Sequence, residues 1–202
     1  LLGTEFFTQF WSLDEQIKAL GYEATILAFD PSHKTLNYSY TTLSTKLIRT
    51  VEKMAGLSAR GYSWPIPLDS IYGKILAGGK AEYIPWAGDL FAEALPVMLR
   101  PIAGSLMKAL KVDNGIIAPL HVNEEMLGLL VVFGNQTISQ NELPAIDSFA
   151  GQVSVSLRNA RLARQVENEL KERKQAEAAL RASEAKIHAL LDAIPDIMFI
   201  LD

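Results

Sequence analysis

The chain has 202 residues, 49% of them hydrophobic and 21% charged, with no cysteine, a composition that allows one domain with a real core plus extensions. Without cysteine, disulfides, thiolate metal sites, cysteine nucleophiles and thioether-linked cofactors are excluded. The net charge of -4 is uneven: eight Lys/Arg against five Asp/Glu between Arg158 and Lys186 make that run +3, and the rest sums to -7.

In chain order, Phe6, Phe10, Leu13, Ile17 and Leu20 recur at helical spacing from Glu5 to Leu20, and Gly21 stops the helix. "YEATILAFD" reads as a strand, "DPSHK" as a turn, and "TLNYSYTT" as a returning strand with Leu36, Tyr38 and Tyr40 on one face. A helix follows from Lys46 to Met54, ending near Gly56. The two prolines of "GYSWPIPL" confine that strand to an edge. Asp69 or Ser70 caps the helix "SIYGKILA", which Gly78 and Gly79 terminate. "AEYIP" is a brief extended piece, and the helical pattern from Asp89 to Leu110 is broken at Pro96 and Pro101. "GIIAPLH" and "EMLGLLVVFG" make a second hairpin around "VNEE". After the cap residue Ser139, one helix is predicted from Asn141 to Ile194, where Pro195 ends it because its ring and missing N–H cannot continue the ladder.

Within that helix, steps of four and three from Leu162 reach Val166, Glu169, Arg173, Ala176, Leu180, Ser183, Ile187, Leu190 and Ile194. The apolar members Leu162, Val166, Ala176, Leu180, Ile187, Leu190 and Ile194 form a seam, which predicts a homodimeric coiled coil with a weakened middle. Glu167 with Lys171 and Glu177 with Arg181 have the favourable i,i+4 orientation. A solvated linker helix is the plainer alternative. The basic excess sits among acids and lacks aromatics, so no nucleic-acid partner is expected.

The order helix, hairpin, helix, edge strand, helix, loop, hairpin, long helix resembles a GAF domain. The most specific stretch is "GIIAPLHVNEEMLGLLVVFGNQTISQNELPAIDSFAGQVSVSLRNARL", and "VEKMAGLSARGYSWPIPLDSIYGKILAGGKAEYI" is similar to the middle of GAF domains from microbial sensor kinases. "ERKQAEAALRASEAKIHALLDAIPDIMFILD" resembles a linker helix and the first strand of a PAS domain. The resemblance implies an α+β, profilin-like fold: a six-stranded antiparallel sheet flanked by helices, with a long C-terminal helix. It divides the chain into a GAF sensor domain over 1–161, a signalling helix over 162–194 and the start of a PAS domain over 195–202. Since Leu1 is not methionine and the last residues open a strand, a piece of a longer protein is expected.

The function so implied is a regulatory sensor module of a histidine kinase, with a response regulator as partner of the parent. A ligand-free dimerisation and relay domain, or the sensor of a diguanylate cyclase, are the alternatives. Trp64, Tyr83, Trp86, Phe91, Leu95, Met98 and Met107 fall in the stretch where the family builds its cavity, so they are the candidate contacts for a small molecule. They could equally fill a core. The missing cysteine removes the family's usual covalent bilin anchor, so any bilin would bind without such a bond. The family's "NKxFDE" pattern for cyclic nucleotides is absent.

Other constellations point nowhere specific. "GKILAGGK" lacks the lysine and Ser/Thr order of a phosphate loop. His33, His121 and His188 lie in a turn, a strand and the linker, outside any phosphoacceptor setting. Asn37-Tyr-Ser39 and Asn135-Gln-Thr137 match the glycosylation pattern. Asp113-Asn114 and Glu124-Glu125 belong to turns. No catalytic triad or paired carboxylates emerge, and catalysis is not expected in these residues. No signal peptide is seen before the first helix, the longest apolar run, Met126 to Gly134, is short of the roughly 20 residues of a membrane span, and a cytoplasmic location is expected, with a membrane-associated parent left open as the alternative.

Overall fold

The computed structural model describes residues 15, 17–19, 21–30, 34–134 and 138–198, with side chains as far as Leu190. Of the predicted first helix, residues 17–19 are helical and Ile17 is buried; the remainder lies outside the described residues, as do most of the "DPSHK" turn, His33 and the second glycosylation motif. The Asp30 side chain still marks that turn, accepting from the N–H groups of Lys34 and Thr35 at 2.9 and 2.8 Å.

Six strands build one antiparallel sheet in the order β3-β2-β1-β6-β5-β4. They are β1 (Tyr22–Phe29), β2 (Thr35–Thr41), β3 (Ser63–Pro65), β4 (Glu82–Ile84), β5 (Gly115–Val122) and β6 (Glu125–Gly134). The proline-bearing β3 takes one edge, as expected, and β4 the other. Helices α1 (Thr45–Ala55), α2 (Ile71–Gly78), α3 (Ala87–Ala94) and α4 (Ala103–Leu110) lie between the strands in sequence, with a 3₁₀ turn at Val97–Ile102 that contains Pro101. Helix α5 (Leu143–Met198) follows β6.

Local chemistry fixes these boundaries. Ser44 and Ser70 cap α1 and α2, accepting from Leu47 N and Gly73 N, and Gly56 and Gly79 close them in the left-handed conformation. The expected cap at Ser139 is a full capping box with Glu142. "GKILAGGK" is α2 with its C-cap, as its glycine pattern suggested.

Two bulges decide which face each side chain occupies. Ile26 opposes Tyr40 and Leu27 opposes Tyr38, so Ser39 is the extra residue of β2. Leu36 and Tyr38 consequently pack on one face while Tyr40 packs on the other, which corrects the single face expected from plain alternation. In β6, Leu127 and Gly128 together oppose Leu120. Gly128 has φ +154°, and a Cβ there would stand 2.0 Å from the Leu27 carbonyl oxygen on β1. Only glycine fits that crossing.

The sheet therefore carries a core on each side. On one, Leu27, Leu129, Val131 and Phe133 meet Tyr72, Ile75, Leu90, Leu106 and Leu110 from α2, α3 and α4. On the other, Ile26, Ile116, Leu130 and Val132 meet Ile146, Ala150, Val153 and Leu157 of α5, with Ile17. Asn114 links the second side: its Nδ2 donates to Tyr83 Oη at 3.0 Å and its Oδ1 accepts from Ile138 N at 3.1 Å.

The chain divides into compact units at Ala160/Arg161. In the second unit Leu162, Val166, Leu180, Ile187 and Leu190 are 50 to 63% exposed and Ala176 is exposed too; the Ile194 side chain lies outside the described residues. An Arg173–Glu177 ion pair at 3.6 Å and a Gln165–Glu169 hydrogen bond at 2.9 Å decorate the same stretch. The helix does not stop before Pro195, as the sequence predicts, but continues to Met198. A proline near the last turn removes one N–H from the ladder and leaves the bonds on either side intact, so a nearby end tolerates it better than an interior would. Residues 196–198, expected to open a strand, are helical, and 199–202 lie outside the described residues.

Candidate ligand cavity

Between one face of the sheet and α1, α2, α3 and α4 lies a cavity of about 140 Å³. A single water needs roughly 10–15 Å³ on the same measure, and dry engineered cavities near 150 Å³ hold a benzene. The space thus suits a small organic molecule.

Its walls follow from the elements just described. Leu27, Val131 and Phe133 form the sheet floor, Val51 and Ala55 come from α1, Leu90 and Ala94 from α3, and Met107 and Leu110 from α4. At one end stands an aromatic group: Trp64 stacks on Tyr62 with centroids 5.6 Å apart and meets Tyr72 edge-on at 5.8 Å. Tyr62 Oη donates to the Ala94 carbonyl at 2.6 Å and Tyr72 Oη to the Leu90 carbonyl at 2.9 Å, so both rings are tethered to α3. Burial pushes the Tyr38, Tyr62 and Tyr72 phenols up, and all three stay neutral at physiological pH. Glu52 is the charged residue of the wall, and its carboxylate accepts from Ala59 N at 2.8 Å and Ser58 Oγ at 3.4 Å. The Trp64 indole Nε1 is buried without a hydrogen-bond partner.

Four of the seven residues singled out in the sequence line this space: Trp64, Phe91, Leu95 and Met107. Three do not. Tyr83 opposes Ile116 in the β4–β5 pairing and packs on the far face, because its neighbour Ile84 takes the cavity side. Trp86 precedes α3 and folds over Gly88, where a Cβ would meet its Nε1 at 2.4 Å; it is 37% exposed. Met98 sits in the 3₁₀ turn and is 91% exposed. Tyr38, Tyr62, Tyr72 and Glu52 line it as well; for Tyr72 the i,i+3 spacing to buried Ile75 is the signal that the sequence carries.

Elsewhere, His121 and His188 are exposed, and among the described residues no group of three His, Cys, Asp or Glu could hold a metal. No helix of the described residues is long and apolar enough to cross a membrane.

No protein-family model matches the chain, and no curated protein matches it. Solved structures do. A domain assigned to a two-component sensor histidine kinase of Sinorhizobium meliloti 1021 is similar at TM-score 0.52 and 13% identity, covering 81% of this chain and 99% of that one. A GAF domain/HD domain protein from Geobacter sulfurreducens gives TM-score 0.53 and 14% identity over 79% of this chain and 95% of that one. The GAF domain region of a protein assigned to the membrane of Geobacter sulfurreducens PCA gives 0.50 and 15% over 76% and 96%. The fold is that of GAF domains: a six-stranded antiparallel sheet with flanking helices and a long C-terminal helix.

Proposed function

We propose that this chain is a regulatory sensor module that holds a small molecule in its cavity and passes occupancy on through α5. The observation that carries the reading is the apolar space of about 140 Å³ between one sheet face and four helices. Apolar walls with a few placed polar groups are how proteins take up small organic ligands. The sensor histidine kinase domain among the similar structures supports a two-component parent, with a response regulator as its partner and catalysis outside these residues.

The relay half of the proposal rests on the exposed seam. Five large apolar side chains spaced along one face of a helix are costly in water, and a second copy of the chain covers them as a coiled coil. By their sequence resemblance, residues 195–202 lead, in this reading, toward a PAS domain.

Native mass spectrometry of the purified chain tests the reading. A noncovalent adduct that is lost on denaturation, and absent after Ala94→Leu narrows the cavity, is the expected result. A chain that carries no adduct and binds no small ring compound would be a relay module that senses nothing.

A further inference from the structure

The orphaned indole N–H narrows what the cavity takes. Trp64 is 7% exposed, and its Nε1 has given up hydration without gaining an acceptor from the protein. The ring has little freedom to seek one. Its backbone is paired with Leu36 in the β2–β3 ladder, and its faces and edge are held by Tyr62 and Tyr72.

The neighbouring polar groups are already engaged. The Tyr62 and Tyr72 hydroxyls donate to the Ala94 and Leu90 carbonyls, and Glu52 accepts from the 58–59 turn. The described residues around the cavity include no Lys, Arg or His to balance a phosphate or carboxylate. An anion would be desolvated there without a partner.

We infer that the cavity selects uncharged, single-ring compounds bearing a hydrogen-bond acceptor, a carbonyl, ether oxygen or ring nitrogen, to which the Trp64 indole N–H donates. This rests on the reading that the cavity binds a small molecule at all.

Four probes of similar size separate the possibilities in titrations of the whole chain: acetophenone, isopropylbenzene, benzoate and phenyltrimethylammonium. Acetophenone is expected to bind ~5-fold more tightly than isopropylbenzene, the effect of one net hydrogen bond. It should also shift the Trp64 indole N–H resonance downfield, and both ions should bind at least ~10-fold more weakly: benzoate meets no cation in the wall, and the Glu52 carboxylate that phenyltrimethylammonium would need is already engaged by Ala59 N and Ser58 Oγ. Trp64→Phe keeps a ring and removes the donor, and should bind acetophenone no more tightly than isopropylbenzene. Equal affinities in the parent chain, a preference that survives Trp64→Phe, or tighter binding of phenyltrimethylammonium by the aromatic walls would overturn the inference while the cavity reading stood. Should Trp64→Phe fail to fold, the indole resonance decides: a shift with acetophenone alone supports the inference, and the same shift with both refutes it. No binding of any probe to the folded chain would remove the cavity reading itself.

Discussion

Tyr22 Oη donates to Glu142 Oε1 at 2.6 Å, tying the first residue of β1 to the capping box ahead of α5, 120 positions later. That bond, and then the Ser139 N–H, hold the Glu142 carboxyl below the usual carboxylate range, while the carboxylate, with some burial, raises the Tyr22 phenol. Because the Glu142 value is lower folded than unfolded, its contribution is full above about pH 4.3 and is lost as pH falls through the folded value. Because the Tyr22 value is higher folded, its contribution is full below about pH 10 and is lost as pH rises through the folded value. Tyr22→Phe should cost about 1 kcal/mol near neutrality and flatten both limbs. Urea melts from pH 3 to 11 check this; identical profiles for variant and parent would refute it.

The bulge at Gly128 predicts a steep local intolerance. Gly128→Ala puts a methyl group against the Leu27 carbonyl and keeps a backbone angle that L residues avoid, so a loss of roughly 3 kcal/mol is expected, within the range for strain and overpacking combined. Thermal melts with a retained circular dichroism spectrum would measure it. A variant within 0.5 kcal/mol of the parent, the tolerance of an ordinary surface site, would show that the strands part easily there.

Leu106 and Ala94 should behave oppositely. Leu106 is fully buried, so Leu106→Ala opens a void and should cost about 3 kcal/mol in chemical denaturation. Ala94 borders a space that already exists, so Ala94→Leu should leave stability within about 1.5 kcal/mol while abolishing probe binding. Equal losses from the two changes would mean the cavity is not open in solution.

Leu180→Glu combined with Ile187→Glu places four like charges in the seam of a dimer. The double variant should be mostly monomeric by light scattering at micromolar concentration, with the sheet domain's melting unchanged, because both positions lie in the second unit and are exposed in the single chain. A variant that stays dimeric would assign the contact to the sheet domain.

Within the sheet domain, strand and helix identities were legible where an element carries a local signature: prolines at β3, serine caps and left-handed glycines around α1 and α2, and the Ser139–Glu142 box. Side-chain direction was legible only where the ladder is regular. Tyr40 changes face because Ser39 is inserted in β2, an event no period-two pattern records. Trp86 and Met98 share the composition of cavity residues, yet their loop and 3₁₀ settings turn them outward. Asn114 looked like an ordinary turn residue, and its two hydrogen bonds involve partners 31 and 24 positions away. Long-range satisfaction of this kind leaves no periodic trace in sequence.

In β6, Leu129, Val131 and Phe133 face the side of the sheet that holds the cavity, Val131 and Phe133 lining it, while Leu130 and Val132 face α5. Adjacent codons thus answer to separate packing demands, one for the wall of the cavity side and one for the seat of α5. A substitution at an odd-numbered position from 129 to 133 reshapes the cavity side and leaves the α5 seat intact, and one at position 130 or 132 does the reverse. One strand lets the two cores be repacked independently.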